Sequence, residues 1–158
     1  MTRIHIDDMY ESGFDGAYTY FASEGFTAGS TIAHWRDFAT ACSLKNMMFV
    51  PSVGPGYDDT PVRPWNFEAT KRRSNGAYYE EMFKAGAVLD PAPAFLSITS
   101  FNEWGEGTQI ESAVPHSHPD PEESYNNYQP DYPEFYLDAT ARFTKLYFHK
   151  KVIPHEKD

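Results

Sequence analysis

Glu103 and Glu106 stand three residues apart in SITSFNEWGEGTQIE (residues 97–111), with Trp104 between them. An apolar, β-prone run leads directly into the two acids. Glycoside hydrolysis commonly needs one carboxyl group to protonate the leaving oxygen and a second to act as base or nucleophile. Tryptophan offers a flat apolar face to the C–H side of a pyranose ring. Elsewhere a bare pair of acids at this spacing is a solvated loop feature or a helix-capping pair. Asn102, Trp104 and Gly107, placed directly after a buried strand, favour the sugar-cleaving reading.

Other candidates lie at the ends of two earlier apolar runs. The first offers Tyr18 and Tyr20, and the second offers Ser52, with Tyr57, Asp58 and Asp59 just beyond it. Arg63, in the rigid PVRPWN loop, can orient a carboxylate by a bidentate contact, donate to a substrate hydroxyl, or form a surface salt bridge. Trp65 is either a loop anchor or a sugar platform. His116 and His118 have no Cys, His or carboxylate at zinc-like spacing around them, so no metal is expected. Gly54-Pro55-Gly56 lacks the Lys and Ser/Thr of a phosphate loop, and there is no G-x-S-x-G elbow.

The elements that must position these residues follow from periodicity. Residues 4–12 suit a short helix stopped by Gly13, and 14–21 (FDGAYTYF) a strand. Two Gly and two Ser mark 22–30 as loop. Residues 31–45 read as an amphipathic helix with Ile32, Trp35, Phe38, Ala39 and Cys42 inward and Ser30 or Thr31 as cap. The run 47–53 is almost continuously apolar, as in a parallel strand buried on both faces, although Pro51 weakens its end. Then come a turn at 54–56, an ordered loop at 57–70, and a helix at 74–89 with Tyr78, Tyr79, Met82, Phe83 and Ala87 inward. A third strand spans 95–101. Residues 112–133 read as loop, and a last helix at 133–148 carries Phe135, Leu137, Thr140, Phe143 and Tyr147.

Strict alternation of this kind means parallel βα units, and the long loops all follow strands. The expected fold is α/β: the C-terminal part of a (β/α)8 barrel, with about three βα units and a final helix. Three strands cannot close a barrel, which takes about 250 residues. Residues 1–150 are expected to form this unit and 151–158 a charged tail.

Composition narrows the function classes. The 158 residues suffice for one domain with a core. A net charge of −10 argues against a nucleic-acid or anionic-membrane surface, because both ligands are polyanions. No apolar run approaches the roughly 20 residues of a membrane span, and no signal peptide is visible. Cys42 is the only cysteine, so no internal disulfide forms; it reads as a small core residue.

Four blocks resemble glycoside hydrolase family 99, the endo-α-1,2-mannosidases, and most closely the animal Golgi type. They are GFDGAYTYFASEGF (13–26), MFVPSVGPGYDDTPVRPWN (48–66), NGAYYEEMFKAG (75–86) and SITSFNEWGEGTQIE (97–111). The resemblance implies a (β/α)8 barrel that cleaves within N-glycans, releasing glucosylated mannose from high-mannose chains with retention. It implies Glu106 as general acid/base. Glu103 is implied as the base that helps the substrate's own 2-hydroxyl attack the anomeric carbon, giving a 1,2-anhydro sugar. Tyr20 and Arg63 match positions lining the family's sugar subsites, and no cofactor is implied. Animal members carry His at the position of Gly105. A full-length relative would face the Golgi lumen from a membrane anchor, with the N-glycan as its partner. The alternatives are a truncated, inactive product and an α-1,2-mannanase acting on mannan.

Overall fold

The computed structural model describes residues 3–20, 23–116 and 125–148. His118 and the charged tail expected at 151–158 lie outside the described residues, as does Phe21 at the end of the first expected strand.

Parallel strands cannot be joined by a tight turn, so each connection must cross back over the sheet. Here each crossover holds a helix. The helix α1 (Arg3–Glu11) leads into β1 (Gly16–Tyr18). α2 (Ile32–Ser43) crosses to β2 (Met48–Val50) and β3 (Ser52–Val53). α3 (Ala77–Ala87) crosses to β4 (Ser97–Ile98), and α4 (Phe135–Phe148) ends the order. β1 pairs in parallel with β2, Gly16 opposite Met48 and Tyr18 opposite Val50. β3 pairs in parallel with β4, Ser52 opposite Ser97 and Val53 opposite Ile98.

The run expected as one strand at 47–53 is divided at Pro51, which has no N–H to give to a ladder. On one side the Val50 carbonyl accepts from Thr19 N–H at 3.1 Å. On the other, the Pro51 and Val53 carbonyls accept from Ser97 N–H (3.1 Å) and Thr99 N–H (2.8 Å). The strands expected at 14–21 and 95–101 shrink to three and two residues. Side chains take over where these ladders end. Ser52 N–H donates to Thr19 Oγ1 at 2.7 Å, Ser52 and Thr99 share a hydroxyl bond at 2.6 Å, and Thr99 Oγ1 donates to the Tyr20 carbonyl. These buried hydroxyls tie three strand ends together on the face that carries the candidate residues.

The helices bury apolar stripes against the strands. α2 buries Trp35, Phe38, Ala39, Ala41 and Cys42, so Cys42 is the core residue expected. The Trp35 indole donates to Gly29 O at 2.8 Å, which removes the cost of burying its N–H. Thr31 occupies the N-cap position of α2 without capping by its side chain; its hydroxyl donates back to Thr27 O at 2.7 Å. α3 begins one turn later than the periodicity suggests, after a 3-10 turn at Ser74–Gly76. In α4 the buried stripe is Tyr136, Ala139 and Phe143. Phe143 is in the core as expected, and Phe135, Leu137 and Tyr147 pack against it half-buried; Tyr136, not singled out in the sequence, is buried against Tyr79 and Tyr128.

One close approach is specific to a glycine. A Cβ on Gly16 would lie 2.7 Å from the Met48 carbonyl across the β1–β2 pair. Replacing Gly16 with Ala is expected to lower the unfolding free energy by about 1–3 kcal/mol, the usual cost of overpacking. Urea denaturation of the wild type and Gly16→Ala checks this; equal midpoints would contradict the tight β1–β2 contact.

Candidate active site

The chain leaves β4 through a cis Thr99–Ser100 peptide and enters the loop that carries both acids. Ser100 closes its base: Ser100 N–H donates to Thr108 O at 2.9 Å, and Ser100 Oγ accepts from Glu103 N–H at 2.9 Å. Thr108 N–H returns to Glu103 O at 3.2 Å. Between them Trp104–Glu106 forms a single 3-10 turn, which Gly107 ends at φ +60°. A Cβ there would meet Asp58 O at 2.8 Å, so the position needs glycine on two counts.

Two contacts from other elements hold this loop. Asp58 N–H donates to Glu106 O at 2.9 Å. On the far side, Arg73 Nη2 donates to Gly107 O at 2.9 Å and to Gln109 O at 2.8 Å. The guanidinium carbon lies 5.0 Å from the centroid of the Tyr128 ring and 4.6 Å from that of Tyr136. Both distances are in the range of cation–π attraction.

The two acids have different surroundings. Glu103 is exposed. The Glu106 side chain keeps 19% exposure, and burial, then the neighbouring Glu103, push its carboxyl above the ordinary carboxylate range. Arg63 acts in the opposite direction, and Asp59 adds to the upward push. Arg63 Nη1 lies 3.8 Å from Glu106 Oε1 but only 2.9 Å from Asp59 Oδ2.

Asp59 is the buried centre of this group, with no side-chain exposure. Burial alone would raise its pKa. Hydrogen bonds from Arg63, from Asn66 Nδ2 (3.0 and 3.1 Å) and from Tyr57 OH (3.0 Å) outweigh burial and hold it below the usual range. The Tyr57 phenol is pushed up to about 12 by burial, by its bond to Asp59 and by the charges of Asp59 and Glu106.

Of the residues singled out in the sequence, Tyr20 joins this group. Burial first, then Glu106 and Glu103, raise its phenol, and it keeps 46% exposure. Tyr18, at the end of β1, is 63% exposed. Tyr57 is buried, with its hydroxyl committed to Asp59. Trp65 stands 77% exposed on the 3-10 helix Pro64–Ala69. Trp104 is half-buried; its indole donates to Glu111 Oε2 at 3.1 Å and meets Tyr125 edge-on. Asn102 is exposed, and its carbonyl accepts Trp104 N–H at 3.1 Å. A Cβ at Gly105 would lie 3.2 Å from Glu103 Oε1, so a side chain there would bear directly on that carboxylate. Among the described residues, no three His, Cys, Asp or Glu are grouped to hold a metal ion.

Sequence reasoning gave Asp59 no role beyond its strand end and passed over Arg73. The signal for Asp59 was its spacing, four residues before Arg63 in a loop rich in prolines. Arg73 had none, because its partners are carbonyls 34 and 36 residues away.

Comparison with known proteins bears on what such a site does. The sequence model of glycosyl hydrolase family 99 matches residues 1–149. The glycoprotein endo-alpha-1,2-mannosidase of Xenopus laevis is 46% identical over 147 residues, and that of Mus musculus 47% over 148. A human glycoprotein endo-alpha-1,2-mannosidase-like protein is 48% identical over 147. These alignments cover 93–94% of this chain and 31–32% of the relatives, so the chain spans about a third of their length. The solved endo-alpha-mannosidase of the same family from Bacteroides thetaiotaomicron superposes with a TM-score of 0.83 at 44% identity. That superposition covers 91% of this chain and 44% of the bacterial one. The chain belongs to glycoside hydrolase family 99.

Proposed function

We propose that this chain is the C-terminal part of the (β/α)8 barrel of a retaining endo-α-1,2-mannosidase. Its substrate is a glucosylated high-mannose N-glycan, and the product released is glucosyl-mannose. The observation that carries the reading is the acid pair after β4, in which Glu106 is largely buried beside Glu103 and Asp59 while Glu103 is exposed. A carboxyl raised by its surroundings keeps its proton to higher pH than a free one and can donate it to a leaving oxygen. The parallel βα order and the similarity to family 99 relatives support the barrel and the substrate class.

In the reaction, Glu103 takes the proton of the substrate's 2-hydroxyl as that oxygen bonds to the anomeric carbon. Glu106 gives its proton to the departing glycosidic oxygen as the old bond breaks. Water then opens the 1,2-anhydro ring, losing a proton to Glu106, while the 2-oxygen regains one from Glu103. Two inversions give net retention with no enzyme-linked sugar. This departs from the common retaining route, in which the second carboxylate attacks directly. Tyr18, Tyr20, Trp65, Trp104 and Asn102 line the sugar subsites, while Tyr57 and Arg63 border them from the Asp59 side. The complete protein works in the Golgi lumen on a membrane anchor.

Two outcomes are expected for the full-length protein carrying these residues. Glu106→Gln should lower release of glucosyl-mannose by about 10²–10⁴-fold, the usual worth of a general acid. Glycan release followed by chromatography reads this, and wild-type activity in the variant would reject the site. The pH dependence has a definite sign as well. Glu106 must be protonated to donate, so kcat/KM should fall as pH rises through its folded pKa, above the ordinary glutamate value of about 4.3. A rate that climbs steadily through that range would contradict the role.

A further inference from the structure

One guanidinium serves two carboxylates in this site, and it serves them unequally. Arg63 Nη1 is 2.9 Å from Asp59 Oδ2 and 3.8 Å from Glu106 Oε1. Asp59 is fixed by more than this pair. It is fully buried, it follows Asp58, whose N–H holds the Glu106 carbonyl, and it takes hydrogen bonds from Tyr57 and Asn66. Arg63, by contrast, has a half-exposed side chain on a long flexible stem. The rigid partner therefore decides where the mobile one lies.

We propose that Asp59 is a positioning residue of this site: it holds the Arg63 guanidinium off the Glu106 carboxyl, so that only part of that positive charge reaches the acid. The proposal rests on the reading of Glu106 as the proton donor. The charged and titratable groups facing Glu106 are Glu103 on its own loop, Arg63, Asp59 and Tyr57 from the loop after β3, and Tyr20 from the end of β1. Arg63 is the cation among them. Close and unshared, it would draw the proton off Glu106 at the pH where the acid must keep it. Paired with Asp59 it is largely neutralised, yet still marks one wall of the site.

The test is the titration of Glu106 in the full-length protein labelled with ¹³C-glutamate, its carboxyl signal assigned by its loss in Glu106→Gln. Asp59→Asn keeps an acceptor for Tyr57 but removes the charge that holds Arg63. The Glu106 midpoint should then fall by about one pH unit, with the alkaline limb of kcat/KM moving down with it. Arg63→Met should raise the midpoint. In Arg63→Met, adding Asp59→Asn should move the midpoint by less than half as much as it does alone. A midpoint that rises or stays put in Asp59→Asn would overturn the inference. An equal shift with and without Arg63 would also overturn it, because Asp59 would then act by direct repulsion alone. If Asp59→Asn fails to fold, Arg63→Met decides, since Asp59 keeps its hydrogen bonds from Tyr57 and Asn66 there; an unmoved midpoint rejects the idea. A wild-type protein that titrates as described but releases no disaccharide would sink the functional reading and leave this one standing.

Discussion

The loop carrying Glu103 and Glu106 is tied down by donors from other elements, and Arg73 supplies two of those bonds while Asp58 supplies a third. Arg73 Nη2 holds the carbonyls of Gly107 and Gln109 from below, while Asp58 N–H holds the carbonyl of Glu106 from the other side. Loop carbonyls turned inward need donors, since an unpaired buried carbonyl costs about 1–3 kcal/mol. Arg73 supplies them from a slot between two tyrosine rings, one in the segment before α4 and one in its first turn. The last helix thus reaches this loop through Tyr136 and Arg73. Gly107 completes the arrangement, because no side chain fits between it and the Asp58 backbone.

On this loop the two acids are sorted by environment. Two glutamates three residues apart differ because one faces solvent and the other is turned toward Asp59, Arg63 and the Tyr57 hydroxyl. Two carboxylates, Asp59 and Glu106, share one nearby arginine, and Asp59 takes most of it. Such competition for a single cation separates the proton affinities of like groups, a separation that acid–base catalysis needs. The net charge of the chain says nothing of this, because the distribution is local.

Much of this was legible in the sequence. The alternation of elements, the core role of Cys42, and the placing of Glu103 and Glu106 after the last strand all follow from periodicity and local composition. The strands were read too long, because apolar runs report burial while ladders report pairing. At 95–101 only two residues pair, and the Ser52–Thr99 hydroxyl bond carries on from there. On α4 the periodicity finds Phe143 but misses Tyr136, since a 3.6-residue period does not reveal that Tyr136 faces Arg73. Arg73 itself was invisible: a cation in a KRR run looks like a solvated charge until its distant carbonyl partners are seen.

The roles of the two acids can be separated by changing the leaving group. A glucosyl-α-mannosyl fluoride needs little protonation to depart, yet it still needs its 2-hydroxyl deprotonated for attack at the anomeric carbon. The measurement is turnover of this fluoride by the full-length Glu106→Gln and Glu103→Gln variants. This division of roles requires that Glu106→Gln, crippled on the glycan, consumes the fluoride, while Glu103→Gln consumes neither. The reverse pattern, with fluoride turnover kept by Glu103→Gln and lost by Glu106→Gln, would contradict it.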